Sequence, residues 1–406
     1  MYRQIQVINK FKTGRERSLQ SFFGRNLIKN IKICDIYKFN DIPSKKNYKL
    51  ACGLLSNPIS QQTFTIENVD KVLKKFGNFS WILEIGYLPG VTDNLGNTAA
   101  EIICESLGYN KNDFKIHSSQ ALFLLTKTKS VIYDIANECS NSLINEITLK
   151  SLKDFNKDNI GLLRQPKIAL DSKSAAQLVN LNLDDINLEK IGKEGIKDQN
   201  GIRRGTLGLD IQSLKTIKNY FRGKKRIPRD IEIETLAQTW SEHCKHKIFS
   251  SKVDNSKKGL FETYIKGATK KIINERKDKF CVSLFSDNAG GISFDKNWIV
   301  CHKVETHNTP SALDPFGGSL TGIVGVNRDC IGFGKGAKPI SNTFGFCFAY
   351  PNKHYEFYRS KNKKNQLLSS RFIINGVIDG VKVGGNCSGI PTPQGFVYFD
   401  DSYAAK

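Results

Sequence analysis

Residues 303–338 read KVETHNTPSALDPFGGSLTGIVGVNRDCIGFGKGAK. The stretch sets Lys303, Glu305, His307, Asn308, Arg328 and Asp329 around glycines at 317, 318, 322, 325, 332, 334 and 336. Few purely structural needs gather that mixture. Holding a phosphorylated ligand together with a divalent cation is one that does. Arg grips phosphate with a two-pronged fork. Carboxylates are the hard oxygen donors that Mg²⁺ takes beside nucleotide phosphates. Glycine lets backbone N–H groups come close to phosphate oxygens. Asp314 to Gly336 is therefore expected to be a glycine-rich loop. It is not a Walker A loop, since no Gly-Lys-Ser/Thr follows, and no G-x-G-x-x-G follows a strand.

Just upstream, Trp298–Glu305 alternates like a strand. Trp298, Val300, His302 and Val304 fall on one face, and Ile299, Cys301, Lys303 and Glu305 on the other. If the chain stays extended, His307 joins Lys303 and Glu305. An exposed Lys–Glu pair on an edge strand is commonplace, but it does not explain why the strand runs on into Thr306-His307-Asn308-Thr309-Pro310. Phe280–Phe285 reads as another strand. Before it, Asp230 reads as the N-cap of a helix whose buried stripe is Ile233, Leu236, Ala237, Trp240 and Cys244. His243, His246 and Lys247 recur three and four residues apart, so that helix would carry them on one face. Four of the six histidines lie between residues 243 and 307.

Downstream, Phe344–Phe348 and Gly395–Phe399 read as strands. Between them Arg371–Val383 is apolar with glycine breaks, and Gly384-Gly385-Asn386 and Gly389-Ile390-Pro391 read as turns. Residues 1–165 alternate strand and helix patterns and form a compact α+β unit. Ile5–Ile8, Trp81–Ile85 and Ala121–Leu125 are its strands; Glu67–Phe76, Asp93–Leu107 and Ile135–Ile147 are its helices. It has no dense cluster of catalytic residue types, and His117 stands alone. Residues 166–229 read as a linker, polar until Asp210 caps a helix with Leu214, Ile217 and Phe221 inward.

The formal net charge of +22 invites a nucleic-acid reading. The lysines, however, are spread along the whole chain next to Asn and Ile, which points to codon bias. The one compact basic cluster, Arg222-Gly223-Lys224-Lys225-Arg226, has no interleaved aromatic residues to stack bases. No apolar run approaches the roughly 20 residues that span a bilayer. Ten cysteines occur with no C-x-x-C pair, against both a disulfide framework and a zinc site. The compartment expected is the cytoplasm.

Trp240-Ser241-Glu242-His243-Cys244-Lys245-His246-Lys247, followed by Lys303-Val304-Glu305-Thr306-His307-Asn308, resembles the phosphoribosylformylglycinamidine synthase family. That is the synthetase component of formylglycinamide ribonucleotide amidotransferase. Gly317–Lys338 is similar to the family's glycine-rich segment with its Arg-Asp pair. Gly389-Ile390-Pro391-Thr392 is similar to a further segment, and Gly86–Asp93 (GYLPGVTD) to the domain that is a separate small subunit in split enzymes. The dense match runs over roughly residues 228–400.

The resemblance implies an α+β fold in three parts: residues 1–165 a small-subunit-like domain, residues 166–229 a linker, and residues 230–406 the N-terminal α/β half of an aminoimidazole-ribonucleotide-synthetase-like ATP-binding module. It implies a reaction in which ATP activates the amide oxygen of formylglycinamide ribonucleotide and ammonia from glutamine displaces phosphate, leaving the amidine. The cofactors it implies are ATP and Mg²⁺. By the same resemblance His243 and His307 are the active-site histidines, with His307 the base. Glu305 and Asp329 ligate Mg²⁺. His246, Lys303, Gly317, Gly318, Gly322 and Gly325 face ATP. Thr306, His307, Asn308, Thr309 and Arg328 hold the substrate. Many family members have a second His where this chain has Thr309, which can hydrogen-bond but cannot act as a base. The family module pairs such a half with a C-terminal half and then repeats the pair, so further synthetase halves and a glutaminase are expected as partners. A catalytically silent scaffolding subunit is the alternative, and a basic nucleic-acid-binding protein a more distant one.

Overall fold

The computed structural model describes residues 2–42, 44–64, 77–154, 176–198, 200–240, 246–254, 258–277, 279–356 and 367–404. They form an α+β protein of two compact units. One comprises Met1–Ile168, Asp287–Gly290 and Cys301–Lys406; the other comprises Ala169–Ser286 and Gly291–Val300. The division does not follow the three parts read from the sequence. Residues 169–286 group together, and the first 168 residues group with the last 106.

The first unit begins with β1 (Tyr2–Asn9), α1 (Gly14–Phe23), β2 (Asn30–Ile42), α2 (Lys45–Leu54), β3 (Gln61–Phe64), β4 (Trp81–Tyr87), α3 (Asn94–Leu107), β5 (Ile116–Leu125), α4 (Lys129–Cys139) and β6 (Asn145–Ser151). The strands form one sheet in the order β3-β1-β2-β5-β4-β6, each neighbouring pair antiparallel. Alternation along β2 sorts its side chains. Ile31, Ile33, Tyr37 and Phe39 pack with residues of the four helices, while Cys34 and Ile36 face the other way with Ile82 and Phe123. The strands and the 93–107 helix read from the sequence lie within β1, β4, β5 and α3. Asp93 caps α3, accepting the Gly96 N–H at 2.7 Å. The helix expected at 67–76 lies outside the described residues. The helix expected at 135–147 is corrected to α4, which stops at Cys139. There the Ser140 hydroxyl donates to the Ala136 carbonyl at 2.7 Å, and Asn141 Oδ1 accepts the Leu143 N–H at 3.0 Å. These local side-chain bonds compete with the helix and turn the chain into β6.

The second unit holds α5 (Asp185–Glu194), α6 (Ile211–Gly223), α7 (Asp230–Thr239), α8 (Lys247–Ser250), a π-helical turn Phe261–Lys266 leading into α9 (Gly267–Arg276), strand β7 (Cys281–Ser283), most of β8 (Gly290–Ser293) and the first half of β9 (Ile299–His302). The stretch read as a linker has its own core. Leu188 and Ile191 of α5 close against Leu214, Ile217 and Phe221 of α6 and against Ile233 and Ala237 of α7. Asp210 caps α6 as expected, accepting the Ser213 N–H at 2.7 Å. The α7 stripe is shorter than expected. Arg229, not Asp230, is the N-cap, and the helix ends at Thr239 with Trp240 41% exposed. Near this end the Thr235 and Thr239 hydroxyls bond back to the Ile231 and Thr235 carbonyls.

The first unit resumes with α10 (Asn308–Leu313), α11 (Pro315–Gly332), β10 (Thr343–Phe348), α12 (Ser370–Ser388) and β11 (Gln394–Phe399). β10 and β11 pair in parallel with α12 between them in sequence, and both strands match the sequence reading. Two expectations are corrected here. The glycine-rich loop at 314–336 is mostly the 18-residue helix α11, and the apolar segment at 371–386 is the helix α12. In α12 the glycines at 376, 380 and 384 recur every fourth residue and so share one face. A Cβ at Gly376 would stand 2.6 Å from the Pro315 side chain, and one at Gly384 2.7 Å from Leu320. Glycine here marks close helix packing rather than a break. The turn read at Gly389 is present, with φ +65° ending α12. No helix among the described residues is long and apolar enough to cross a membrane.

On the β2 face away from the helices, Lys38 Nζ lies 2.7 Å from Glu84 Oε1, with the side chains 8% and 0% exposed. Ser119 donates to the same oxygen at 2.5 Å. Burial pushes the Glu84 carboxyl up and the Lys38 ammonium down, and each partner opposes the other's shift. Glu84 Oε2 has no hydrogen-bond partner. Removing one member strands a buried charge, whereas replacing both by apolar groups removes the problem. Lys38→Met alone is expected to cost about 3–5 kcal/mol, and Lys38→Met with Glu84→Leu to recover most of it. Chemical unfolding followed on the N-terminal sheet checks this; a double variant as unstable as the single one contradicts it.

Candidate active-site groove

The site is built where an arm lies along a helix. The arm is residues 303–311, extended to His307 and helical from Asn308, and the helix is α11. On α11, Gly318, Gly322, Gly325 and Asp329 are spaced four, three and four apart, so they form one row. Each meets a successive part of the arm. A Cβ at Gly318 would sit 2.5 Å from the Pro310–Ser311 backbone, and one at Gly322 would sit 3.2 Å from His307 Cγ. At Gly325 the nearest atoms are those of the Glu305 carboxyl, 4.0 Å away. At the end of the row Asp329 Oδ2 takes Lys303 Nζ at 2.9 Å. Along the arm Lys303, Glu305 and His307 are half-buried while His302, Val304 and Thr306 are exposed. The alternation read from the sequence thus persists through His307, which then becomes the N-cap of α10.

Lys303 stands between two carboxylates, 2.9 Å from Asp329 and 3.4 Å from Glu305. The Asp329 hydrogen bond raises the Lys303 ammonium above its ordinary value, and the same bond lowers the Asp329 carboxyl. Both groups are therefore charged at neutral pH. Glu305 Oε1 lies 3.8 Å from His307 Nε2, and His307 Nδ1 lies 2.6 Å from the Gly318 carbonyl oxygen. The row of side chains runs Asp329, Lys303, Glu305, His307, alternating acid and base.

This row borders a groove of about 750 Å³. Lys303, Glu305, Thr306, His307, Asn308 and Gly322 line it, as the sequence reading expects of a common site. Phe344, Phe346 and Phe396 add an apolar wall. Other candidates lie elsewhere. Arg328 has a side chain 77% exposed, with Nε 3.7 Å from Asp329 Oδ1, and does not line the groove. Thr309 is exposed on α10. Gly317 and Gly318 are inside the first turn of α11, where the Gly318 N–H donates to the Asp314 carbonyl at 2.7 Å. The expected loop of free N–H groups around phosphate is therefore corrected at Gly318, because the helix itself uses that donor. Gly325 also lies within α11, against Glu305 rather than on the groove. His246 belongs to the second unit, just before α8, and not to the helix expected to carry it. His243 lies outside the described residues.

The sequence reading named Asn327 only within Asn327-Arg328-Asp329 and did not single out Cys330, Lys338 or Asn342; all four line the groove. Ser319, Gly322, Ile323, Val326, Asn327 and Cys330 follow helical spacing, so a period of 3.6 applied to residues 315–332 finds the first two of these. Lys338 and Asn342 come from the connection to β10 and carry no local signal. Glu305 and Asp329 are two carboxylates joined by one lysine. Among the described residues no group of three or more His, Cys, Asp or Glu could hold a metal ion.

Comparison with known proteins gives two family-model matches. Residues 198–247 match the formylglycinamide ribonucleotide amidotransferase linker domain, and residues 286–406 match the AIR synthase related protein, N-terminal domain. The phosphoribosylformylglycinamidine synthase subunit PurL of Thermoplasma volcanium is 36% identical over 201 residues, 50% of this chain and 23% of that protein. The corresponding subunit of Picrophilus torridus is 34% identical over 223 residues, 55% of this chain and 25% of that protein. That of Aquifex aeolicus is 33% identical over 181 residues, 44% of this chain and 20% of that protein. The chain thus covers a quarter or less of the length of these relatives. Both domain models and these relatives support the resemblance to the N-terminal portion of phosphoribosylformylglycinamidine synthase, and the whole groove falls within the AIR-synthase-related match.

The glycine row makes a stability prediction of its own. Gly318→Ala would force a Cβ into backbone atoms at 2.5 Å, an overpacking expected to cost about 1–3 kcal/mol. Gly325→Ala meets ordinary contact at 4.0 Å and gains helix propensity of up to about 1 kcal/mol. Thermal unfolding midpoints should therefore fall for the first and hold or rise for the second. The reverse order would show that the arm does not rest on this row.

Proposed function

We propose that this chain supplies the N-terminal part of the synthetase that converts formylglycinamide ribonucleotide, ATP and ammonia to formylglycinamidine ribonucleotide, ADP and phosphate in purine biosynthesis. Ammonia comes from glutamine through a glutaminase partner, and further synthetase halves complete the ATP-binding modules. The observation that carries the reading is the row Asp329–Lys303–Glu305–His307 bordering a groove inside the segment that matches an AIR synthase related domain.

The donor set suits Mg²⁺ as a partial site. Mg²⁺ commonly takes one or two protein carboxylates and completes its shell with water and phosphate oxygens, and Glu305 and Asp329 offer two. When bound it would neutralise phosphoryl charge. Lys303, already held between these carboxylates, is the cation aimed at nucleotide phosphate. Thr306 and Asn308 offer a hydroxyl and an amide to the substrate at the groove edge, and His307 moves the proton of the incoming ammonia. Arg328 and Thr309 are exposed and do not line the groove, and their part in holding the substrate rests on the family resemblance. The role of His243 and His246 rests on the family resemblance.

The test is made in the synthetase assembled from this chain and its remaining halves. His307→Ala should lower amidine formation by about 10²-fold or more while the KM for ATP changes little. Wild-type turnover in that variant would remove His307 from the mechanism. This chain alone, given glutamine, ATP and Mg²⁺, should make no amidine; robust turnover would contradict its being one part of the site.

A further inference from the structure

We infer that α11 sets the working face of His307: the Gly318 carbonyl fixes which ring nitrogen carries the proton, and the absent side chain of Gly322 leaves the ring room to stay there. The catalytic consequence rests on the reading of His307 as the proton-moving residue, but the geometry does not.

The carbonyl oxygen of Gly318 can only accept a hydrogen bond, and it lies 2.6 Å from His307 Nδ1. In the neutral imidazole Nδ1 must then bear the hydrogen, and Nε2 carries the lone pair. The opposite tautomer would set two lone pairs against each other at that distance. Nε2 is the end of the ring near Glu305, and the ring lines the groove. The atom left free to take a proton is therefore the one beside Glu305, which also lines the groove.

Gly322 is one helical turn beyond Gly318. A methyl group there would stand 3.2 Å from His307 Cγ and 3.5 Å from both Cβ and Cδ2. The 3.5 Å approaches are ordinary contact, but the one at 3.2 Å is tight and asks the ring to give by a few tenths of an ångström, away from its short bond to the carbonyl. A helix interior favours alanine over glycine, so glycine at this position runs against the preference of α11 itself. The imidazole is the neighbour that needs the space. Neither glycine touches reacting atoms; both act through His307, as positioning residues. The carbonyl plays the part that a backbone acceptor plays behind a functional histidine elsewhere, choosing tautomer and ring orientation together.

The experiment needs no substrate. The chain has six histidines, so selective ¹⁵N labelling gives a small set of ring signals, and the loss of one set in His307→Gln assigns His307. Long-range ¹H–¹⁵N correlation at mildly alkaline pH should show a protonated Nδ1 and an unprotonated Nε2 in the wild type. Gly322→Ala should move both signals toward the averaged values of a free imidazole. Gly332→Ala, in the same helix with nothing within 4 Å of the added Cβ, should leave them in place. An Nε2–H or averaged wild-type signal overturns the inference, as does an unshifted His307 in folded Gly322→Ala. If Gly322→Ala fails to fold, the wild-type spectrum still decides. In the assembled synthetase Gly322→Ala should lower kcat by about 10- to 100-fold with the KM for ATP little changed; a shifted spectrum with unchanged kcat overturns the positioning role. A wild-type assembly that forms no amidine would instead sink the proposed function, and the ring signals would stand apart from that result.

Discussion

The groove depends on an extended arm lying directly on a helix. An arm in β conformation brings every second side chain to the same side, about 6.6 Å apart. A helix brings a residue to one face every three or four positions, about 5.4 Å apart. The two repeats are near enough to match over three contacts: Lys303 to Asp329, Glu305 to Gly325, and His307 to Gly322. The match requires the helix surface to be bare in its middle and charged at one end. Two glycines clear the space and one ion pair closes the contact. A larger residue at Gly322 would lift the arm where it carries His307, and with it the spacing of the groups behind.

Electrostatics then decides what the row can do. Lys303 holds two carboxylates that would otherwise repel each other, and the carboxylates keep Lys303 charged. This arrangement is partly open to solvent, so its value lies in geometry more than in stability. The buried pair of the N-terminal sheet is a different case. Lys38 and Glu84 are nearly sealed from water, burial works against both charges, and each is held there by the other. One ion pair is partly open to solvent; the other is fixed in a core.

Glycine explains most of what the sequence concealed. In residues 314–336 and 371–386 glycine density reads as loop, because glycine weakens helices and favours turns. In the fold the same glycines sit on α11 and α12 at helical spacing, where their lack of a side chain lets the arm and the two helices approach. The reading succeeded on the strands β1, β4, β5, β10 and β11 and on the carboxylate cap at Asp210, while the strand read at 298–305 is confined to β9, which stops at His302. It failed where a side chain competes with the helix, as at Ser140 and Asn141, and where a core is assembled from short pieces, as with Leu188 and Ile191 in the supposed linker. The first helices α1 and α2 were not singled out, nor was the long strand β2, although its side chains alternate.

Alternation by itself placed Lys303, Glu305 and His307 on one side of the chain, because the strand period is local and needs no partner. The residues of the family motifs were likewise legible in order. Only the tertiary structure decided that Asp329 meets Lys303 across 26 residues while its neighbour Arg328 turns outward, since adjacent positions on a helix lie about 100° apart. Only packing decided that Gly318 and Gly322 serve His307, because a carbonyl and an empty space become specific to one ring when another segment is laid against them.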